Sequence, residues 1–108
     1  MKIAVLEQDR QQADLICQVL SAAGHSCQPY DSARDLLAQL RKDSADMLVM
    51  DWSVPDMEAP EVLRRAKEKL ATNAPTMFLV GGNAEDDIIA GVTAGADDYL
   101  IKPLRRGE

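Results

Sequence analysis

The chain has 108 residues, enough for one compact domain and not for two. Hydrophobic residues make up 46% and aromatics only 4%, so a core must be built from Leu, Ile, Val, Ala and Met. A net charge of −6 argues against the domain alone gripping nucleic acid or an anionic membrane; no apolar run reaches membrane-spanning length, and the run after Met1-Lys2 is too short for a signal peptide, so a cytoplasmic setting is expected.

Ile3-Ala4-Val5-Leu6 reads as a short buried strand that delivers the polar cluster Glu7-Gln8-Asp9. A helix is expected from about Gln11 to Ala23, because Leu15, Ile16, Val19, Leu20 and Ala23 recur at helical spacing, with Gly24 as its C-terminal cap. His25–Tyr30 is a weaker strand, and Pro29 suits it to an edge; His25 is expected on the surface. Asp31-Ser32 offers an N-cap to a short helix through Leu36, Leu37 and Leu40 that ends near Lys42. Cys17 and Cys27 are too few for a disulfide framework or a metal cluster and are expected to be free packing thiols.

Met47-Leu48-Val49-Met50-Asp51 is the pivotal stretch. Four apolar residues run into a carboxylate, and the turn signal Pro55 follows, as in a strand buried on both faces. Trp52 would then lie at the rim of whatever forms beyond that strand end. Pro60 suits the first turn of a third helix whose apolar stripe is Val62, Leu63, Ala66 and Leu70, broken by Thr72-Asn73-Ala74-Pro75. The charges Arg64, Arg65, Lys67, Glu68 and Lys69 read as its solvated face. Thr76–Val80 is a fourth strand with Gly81-Gly82-Asn83 as its turn. Asp86 to about Ala94 is a helix stopped by Gly95, its leading acids favoured by the helix dipole. Tyr99-Leu100-Ile101 is a fifth strand, ending at Lys102-Pro103.

Five strands alternating with four helices imply a parallel α/β sheet with right-handed crossovers. The natural architecture is a flavodoxin-like, doubly wound sheet of order 2-1-3-4-5, with its switch point between strands 1 and 3. A fifth helix should begin where the sequence stops, at Leu104–Glu108. Its absence would leave an apolar patch on one face, so a truncated domain, or a helix supplied from elsewhere, is expected.

That topology brings Glu7, Gln8 and Asp9 to the carboxyl edge beside Asp51, with Lys102 arriving from strand 5. Clustered carboxylates with a lysine opposite suit a hard cation such as Mg2+. They equally suit an Asp nucleophile toward a phosphoryl group, with the lysine offsetting charge on the phosphoryl oxygens.

Over essentially its whole length the chain resembles the receiver domain of two-component response regulators. The segments that carry the resemblance are Ile3–Asp9, Asp46–Pro55 (DMLVMDWSVP) and Ala94–Pro103 (AGADDYLIKP). The resemblance implies that Asp51 is the phosphoacceptor, taking a phosphoryl group from a histidine kinase, and that Lys102 contacts the phosphate. It implies that Glu7, Asp51 and the Ser53 backbone carbonyl hold Mg2+, with Gln8 a weak contributor and Asp9 a possible substitute. It places Tyr99 at the aromatic switch position and implies a cis peptide before Pro103. Signalling would run through the fourth helix and fifth strand to an output domain or a second copy. The ending, Lys102–Glu108, is similar to the start of the last receiver helix in winged-helix transcription regulators. Such a domain is a phosphoacceptor and not an enzyme in the ordinary sense, although it assists its own phosphotransfer and dephosphorylation.

Three positions depart from the family pattern. Gln8 stands where a metal-ligating Asp is usual, which predicts weaker Mg2+ binding. Val80 stands where Ser or Thr is usual and cannot make the hydrogen bond that couples phosphate to the switch aromatic. Glu58-Ala59 replaces an Asp-Gly in the loop before the third helix. Gln8 and Val80 leave an alternative open: a pseudo-receiver that serves as a protein-interaction module with little or no phosphorylation. An enzyme or flavin carrier on the same topology ranks lower, because the Glu7–Arg10 loop is acidic and lacks a glycine-rich phosphate cradle.

Overall fold

A computed structural model describes residues 1–70, 74–81 and 85–102. The strands are β1 (Lys2–Leu6), β2 (Ser26–Tyr30), β3 (Met47–Asp51), β4 (Thr76–Val80) and β5 (Asp98–Ile101). Between them lie α1 (Arg10–Ala22), α2 (Ala33–Lys42), α3 (Ala59–Lys67) and α4 (Glu85–Thr93). All strand pairs are parallel, and the sheet order is β2-β1-β3-β4-β5, as the alternation of elements requires. The expected breaks at Thr72-Asn73 and Gly82-Asn83, the peptide before Pro103 and the fifth helix lie outside the described residues.

Strand alternation sorts the core onto two faces of the sheet. Ala4, Leu6, Leu48, Met50, Phe78 and Val80 point toward α2 and α3, where Leu36, Leu40, Val62, Leu63 and Ala66 meet them. Ile3, Val5, Val49 and Leu79 point the other way, toward Ile16 of α1. The central strands are therefore buried on both faces and read as continuous apolar runs. β2 is the edge strand that Pro29 suggested, and its residues are exposed or half-buried. Leu100 and Met47, on this second face, are half-buried against the smaller cluster.

Local signals set most boundaries. Asp9 caps α1 through its side chain, which accepts from the Gln11 and Gln12 N–H groups. Gly24, at φ 91°, closes the helix while the His25 N–H donates to the Leu20 carbonyl. Ser32 caps α2, and Pro60 sits in the first turn of α3.

Four expectations need correction. α1 buries Ala13 and Ile16 with Leu20 half-covered, whereas Val19 and Ala23 face solvent; a helix lying on one side of a twisted sheet buries a narrower stripe than the full apolar set. α3 ends before Leu70, because the Lys69 and Leu70 N–H groups both turn onto the Ala66 carbonyl; Leu70 still packs on the core from that turn. His25 is half-buried and its Nδ1 is enclosed without a hydrogen-bond partner. Finally, Cys17 and Cys27 are not free thiols but a disulfide, with Cα atoms 5.5 Å apart. Cys17 faces the edge strand from α1, so two half-buried packing positions coincide with bridging distance.

Closing this ten-residue separation constrains the unfolded chain. Reduction, or Cys17→Ser, should therefore lower stability by about 2–3 kcal/mol, measured by urea denaturation with and without reductant. α4 approaches β4 so closely that a Cβ on Gly91 would stand 2.3 Å from the Phe78 ring. Gly91→Ala should cost roughly 1–3 kcal/mol by overpacking, despite alanine's better helix propensity, and the same denaturation experiment reads it.

Candidate functional site

Only three buried polar residues occur among the described residues, and two of them, Glu7 and Asp51, stand at the carboxyl edge of neighbouring strands. The third, Thr76, bonds Asp97 at the opposite end of the sheet. Asp51 is the last residue of β3, and Glu7 directly follows β1. Chain topology alone thus sets the two carboxylates side by side.

Lys102 joins them from β5. Its backbone N–H extends the sheet by donating to the Val80 carbonyl at 2.7 Å. Its Nζ lies 2.9 Å from Glu7 Oε2 and 3.2 Å from Asp51 Oδ2. One ammonium therefore bridges two buried carboxylates, and the three side chains carry a net charge of −1. Glu7 Oε1 accepts from the Asp9 N–H at 3.1 Å, while Oε2 is enclosed with no aligned hydrogen bond and depends on the ion pair. Burial raises the Glu7 carboxyl above its ordinary value, and the Asp51 charge adds to this against the opposing pull of Lys102 and the Asp9 N–H. Burial pulls the Lys102 ammonium down, but Glu7 and Asp51 outweigh it and hold it above its usual value.

Ser53 is gripped at both ends of its residue. Its N–H donates to Asp51 Oδ1 at 3.3 Å, and its carbonyl accepts from Gln8 Nε2 at 3.3 Å. Asp9 stands next in the chain but spends Oδ1 on the α1 cap. Val80 is buried at the end of β4, and Tyr99 is half-buried on β5. Glu7, Asp51, Lys102, Gln8 and Ser53 therefore form one site; Asp9 serves the adjoining helix, and Val80 and Tyr99 lie on the neighbouring strands.

Sequence reasoning missed two supports. Phe78 packs between Trp52 and Tyr99, tilted against both rings, with centroids 5.1 Å and 5.8 Å away. Trp52 is thus more than a rim residue: it packs on the core cluster directly after β3. Only the β3–β4–β5 order, combined with strand alternation, could have aligned those rings. Asp56, in the loop after β3, accepts from the Ala33 and Arg34 N–H groups at 3.0 Å each, which holds its carboxyl below the usual range. It ties the site's loop to the start of α2 across 23 residues. The only hint in the sequence is that the first N–H groups of a helix need acceptors from somewhere.

A carboxylate at a strand end with an ammonium beside it can attack phosphorus and have the added negative charge met on the spot. The same ammonium is what permits two carboxylates to stay buried. Lys102→Met should destabilise the domain by about 2 kcal/mol near pH 8, below the full buried-pair value because the lysine retains some exposure. Glu7 has a raised folded pKa, so its protonation relieves the penalty as pH falls. Thermal melts at pH 8 and pH 5 should show a clearly smaller loss at pH 5.

The family description "response regulator receiver domain" matches residues 3–108. The chain is 30% identical over 103 residues to the regulatory protein VanRc of Enterococcus gallinarum, covering 95% of this chain and 44% of that protein. It is 30% identical over 108 residues to the transcriptional regulatory protein HprR of Escherichia coli, covering all of this chain and 48% of that one. It thus spans about half the length of these relatives. Among solved structures, a response regulator receiver domain protein from Methanospirillum hungatei superposes with a TM-score of 0.85 at 25% identity, covering 96% of this chain and 82% of that one. Sheet order, carboxyl-edge acids and family match agree: the chain belongs to the receiver domains of two-component response regulators.

Proposed function

We propose that Asp51 is the phosphoacceptor of this receiver and takes its phosphoryl group from a histidine kinase. The observation that carries the reading is the Lys102 ammonium held between buried Glu7 and Asp51 at the carboxyl edge. An Asp51 carboxylate oxygen attacks phosphorus of the phosphohistidine. The P–O bond forms, the P–N bond breaks, and the imidazole leaves and takes up a proton. Lys102, already 3.2 Å from Asp51, is the group beside the phosphoryl oxygens. The domain signals rather than turning over a substrate, and assists only its own transfer and hydrolysis.

The donor set fits Mg2+. Among the described residues no three His, Cys, Asp or Glu side chains gather as a metal cluster. Mg2+, however, is commonly held by one or two carboxylates plus carbonyl and water oxygens. Glu7, Asp51 and the Ser53 carbonyl would hold it, with Gln8 and Asp9 at most minor donors. Bound there, it would supply positive charge that offsets repulsion between the carboxylates and the incoming phosphoryl group. With a neutral amide at position 8 the site has one charge fewer than the usual pattern, so binding is expected to be weak.

The output face we assign is α4 and β5, where Ile89, Val92 and Ile101 are exposed apolar residues. Tyr99 would be the switch residue, acting without a hydroxyl at Val80. The relatives' names as regulatory and transcriptional regulatory proteins support an output domain that controls transcription, with a second copy of the receiver as another occupant of that face. Among the described residues no helix is long and apolar enough to cross a membrane, in keeping with action in the cytoplasm. Nothing in the fold or the relatives favours the alternative of an interaction module that is not phosphorylated.

Incubation with acetyl phosphate and millimolar Mg2+ should add one phosphoryl group by intact-mass spectrometry. Asp51→Asn should add none. A wild-type protein that stays unmodified at saturating donor would overturn the reading.

A further inference from the structure

The Gln8 side chain reaches from the end of β1 to the loop after Asp51. It is exposed, directly follows buried Glu7, and donates from Nε2 to the Ser53 carbonyl across 45 residues of sequence. The orientation of its amide follows from the partner. A carbonyl oxygen accepts only, so the nitrogen must face it, because turning Oε1 toward Ser53 would set acceptor against acceptor. In this arrangement the Gln8 oxygen, the atom that could ligate a cation, is directed elsewhere.

Ser53 is held from its other end as well, by its N–H on Asp51 Oδ1. Lys102 completes the arrangement by occupying the space between the two carboxylates. The pocket therefore meets part of its own charge internally, with one negative charge left over. Three of the atoms suited to a divalent cation already have a protein partner: Glu7 Oε2 and Asp51 Oδ2 have Lys102, and the Ser53 carbonyl has Gln8.

We propose that Gln8 is a latch on the Ser53 carbonyl. It competes with a divalent cation for that oxygen, and it holds the loop after β3 against β1 when no cation is bound. The inference rests on the reading of this edge as a receiver's phosphoacceptor site, and it gives Gln8 a role opposite to that of a weak ligand. A ligand at position 8 aids cation binding; a latch opposes it. Removing the side chain separates the two, because alanine supplies neither an oxygen nor a competing donor. Aspartate supplies a charged oxygen and no donor.

The experiment is a Mg2+ titration of the whole chain and of Gln8→Ala and Gln8→Asp, followed by calorimetry and by the fluorescence of Trp52, the single tryptophan, which directly precedes Ser53. Position 8 is exposed, so both variants should fold. Gln8→Ala is expected to bind Mg2+ roughly two- to tenfold more tightly than wild type, the range released by one lost competing hydrogen bond. Gln8→Asp should gain more, because it adds a charge as well. If Gln8→Ala binds more weakly than wild type, or equally, the latch is overturned while the phosphoacceptor reading stands. If wild type and Gln8→Asp both fail to bind Mg2+ and to accept phosphate from acetyl phosphate, the underlying reading fails and the latch with it.

Discussion

An ammonium between two buried carboxylates governs this domain's carboxyl edge. Two acids cannot remain ionised and enclosed a few ångströms apart unless a counter-charge stands with them. Lys102 supplies it, and does so from a strand that enters the sheet last in sequence. Folding the edge and charging the site are therefore one event: β5 must pair with β4 before Glu7 and Asp51 are comfortable. The direction of the Glu7 shift records the tension that remains, with burial and the Asp51 charge still outweighing the attraction of the lysine.

The rest of the fold serves to aim those three side chains. Parallel pairing puts every strand's carboxyl end on one rim, and the β2-β1-β3-β4-β5 order makes β1 and β3 neighbours there. Apolar residues on both faces of β3 fix its register, since a slip by one residue would turn Asp51 and its neighbours onto the wrong faces. Asp56 fastens the loop after β3 to the N-terminus of α2, and Gln8 fastens the same loop to β1. The loop after Asp51 is thus tied at two points, by its own Asp56 side chain to α2 and by the Gln8 side chain to the end of β1.

Val80 joins the apolar cluster together with Phe78, and Phe78 lies between the rings of Trp52 and Tyr99. Beside the backbone ladders that join β3 and β5 through β4, the side-chain link from the end of β3 to β5 is therefore built from packed rings. Close packing transmits displacement through contact, since a dense core leaves no slack to absorb it. The same packing extends to α4, because the absence of a side chain on Gly91 is what admits Phe78 there.

Much of this was legible in the residues. Hydrophobic periodicity and turn residues gave five strands, four helices and their order, because a buried parallel strand needs a continuous apolar run and a helix needs a stripe. Asp51, Glu7 and Lys102 were identifiable because each directly ends or follows such a run, and the topology then dictates that they meet. What remained hidden depends on distances between elements that have no fixed spacing in sequence. The Cys17–Cys27 bridge, the Asp56 cap on α2, the Phe78 ring packing and the hand of Gln8 on the Ser53 carbonyl all arise from how α1, α2 and the loop after β3 settle on the sheet. The sequence by itself determined which chemical groups reach the carboxyl edge, since strand ends are local facts. Tertiary structure alone decided which of those groups partner one another, since that choice is made by packing across tens of residues.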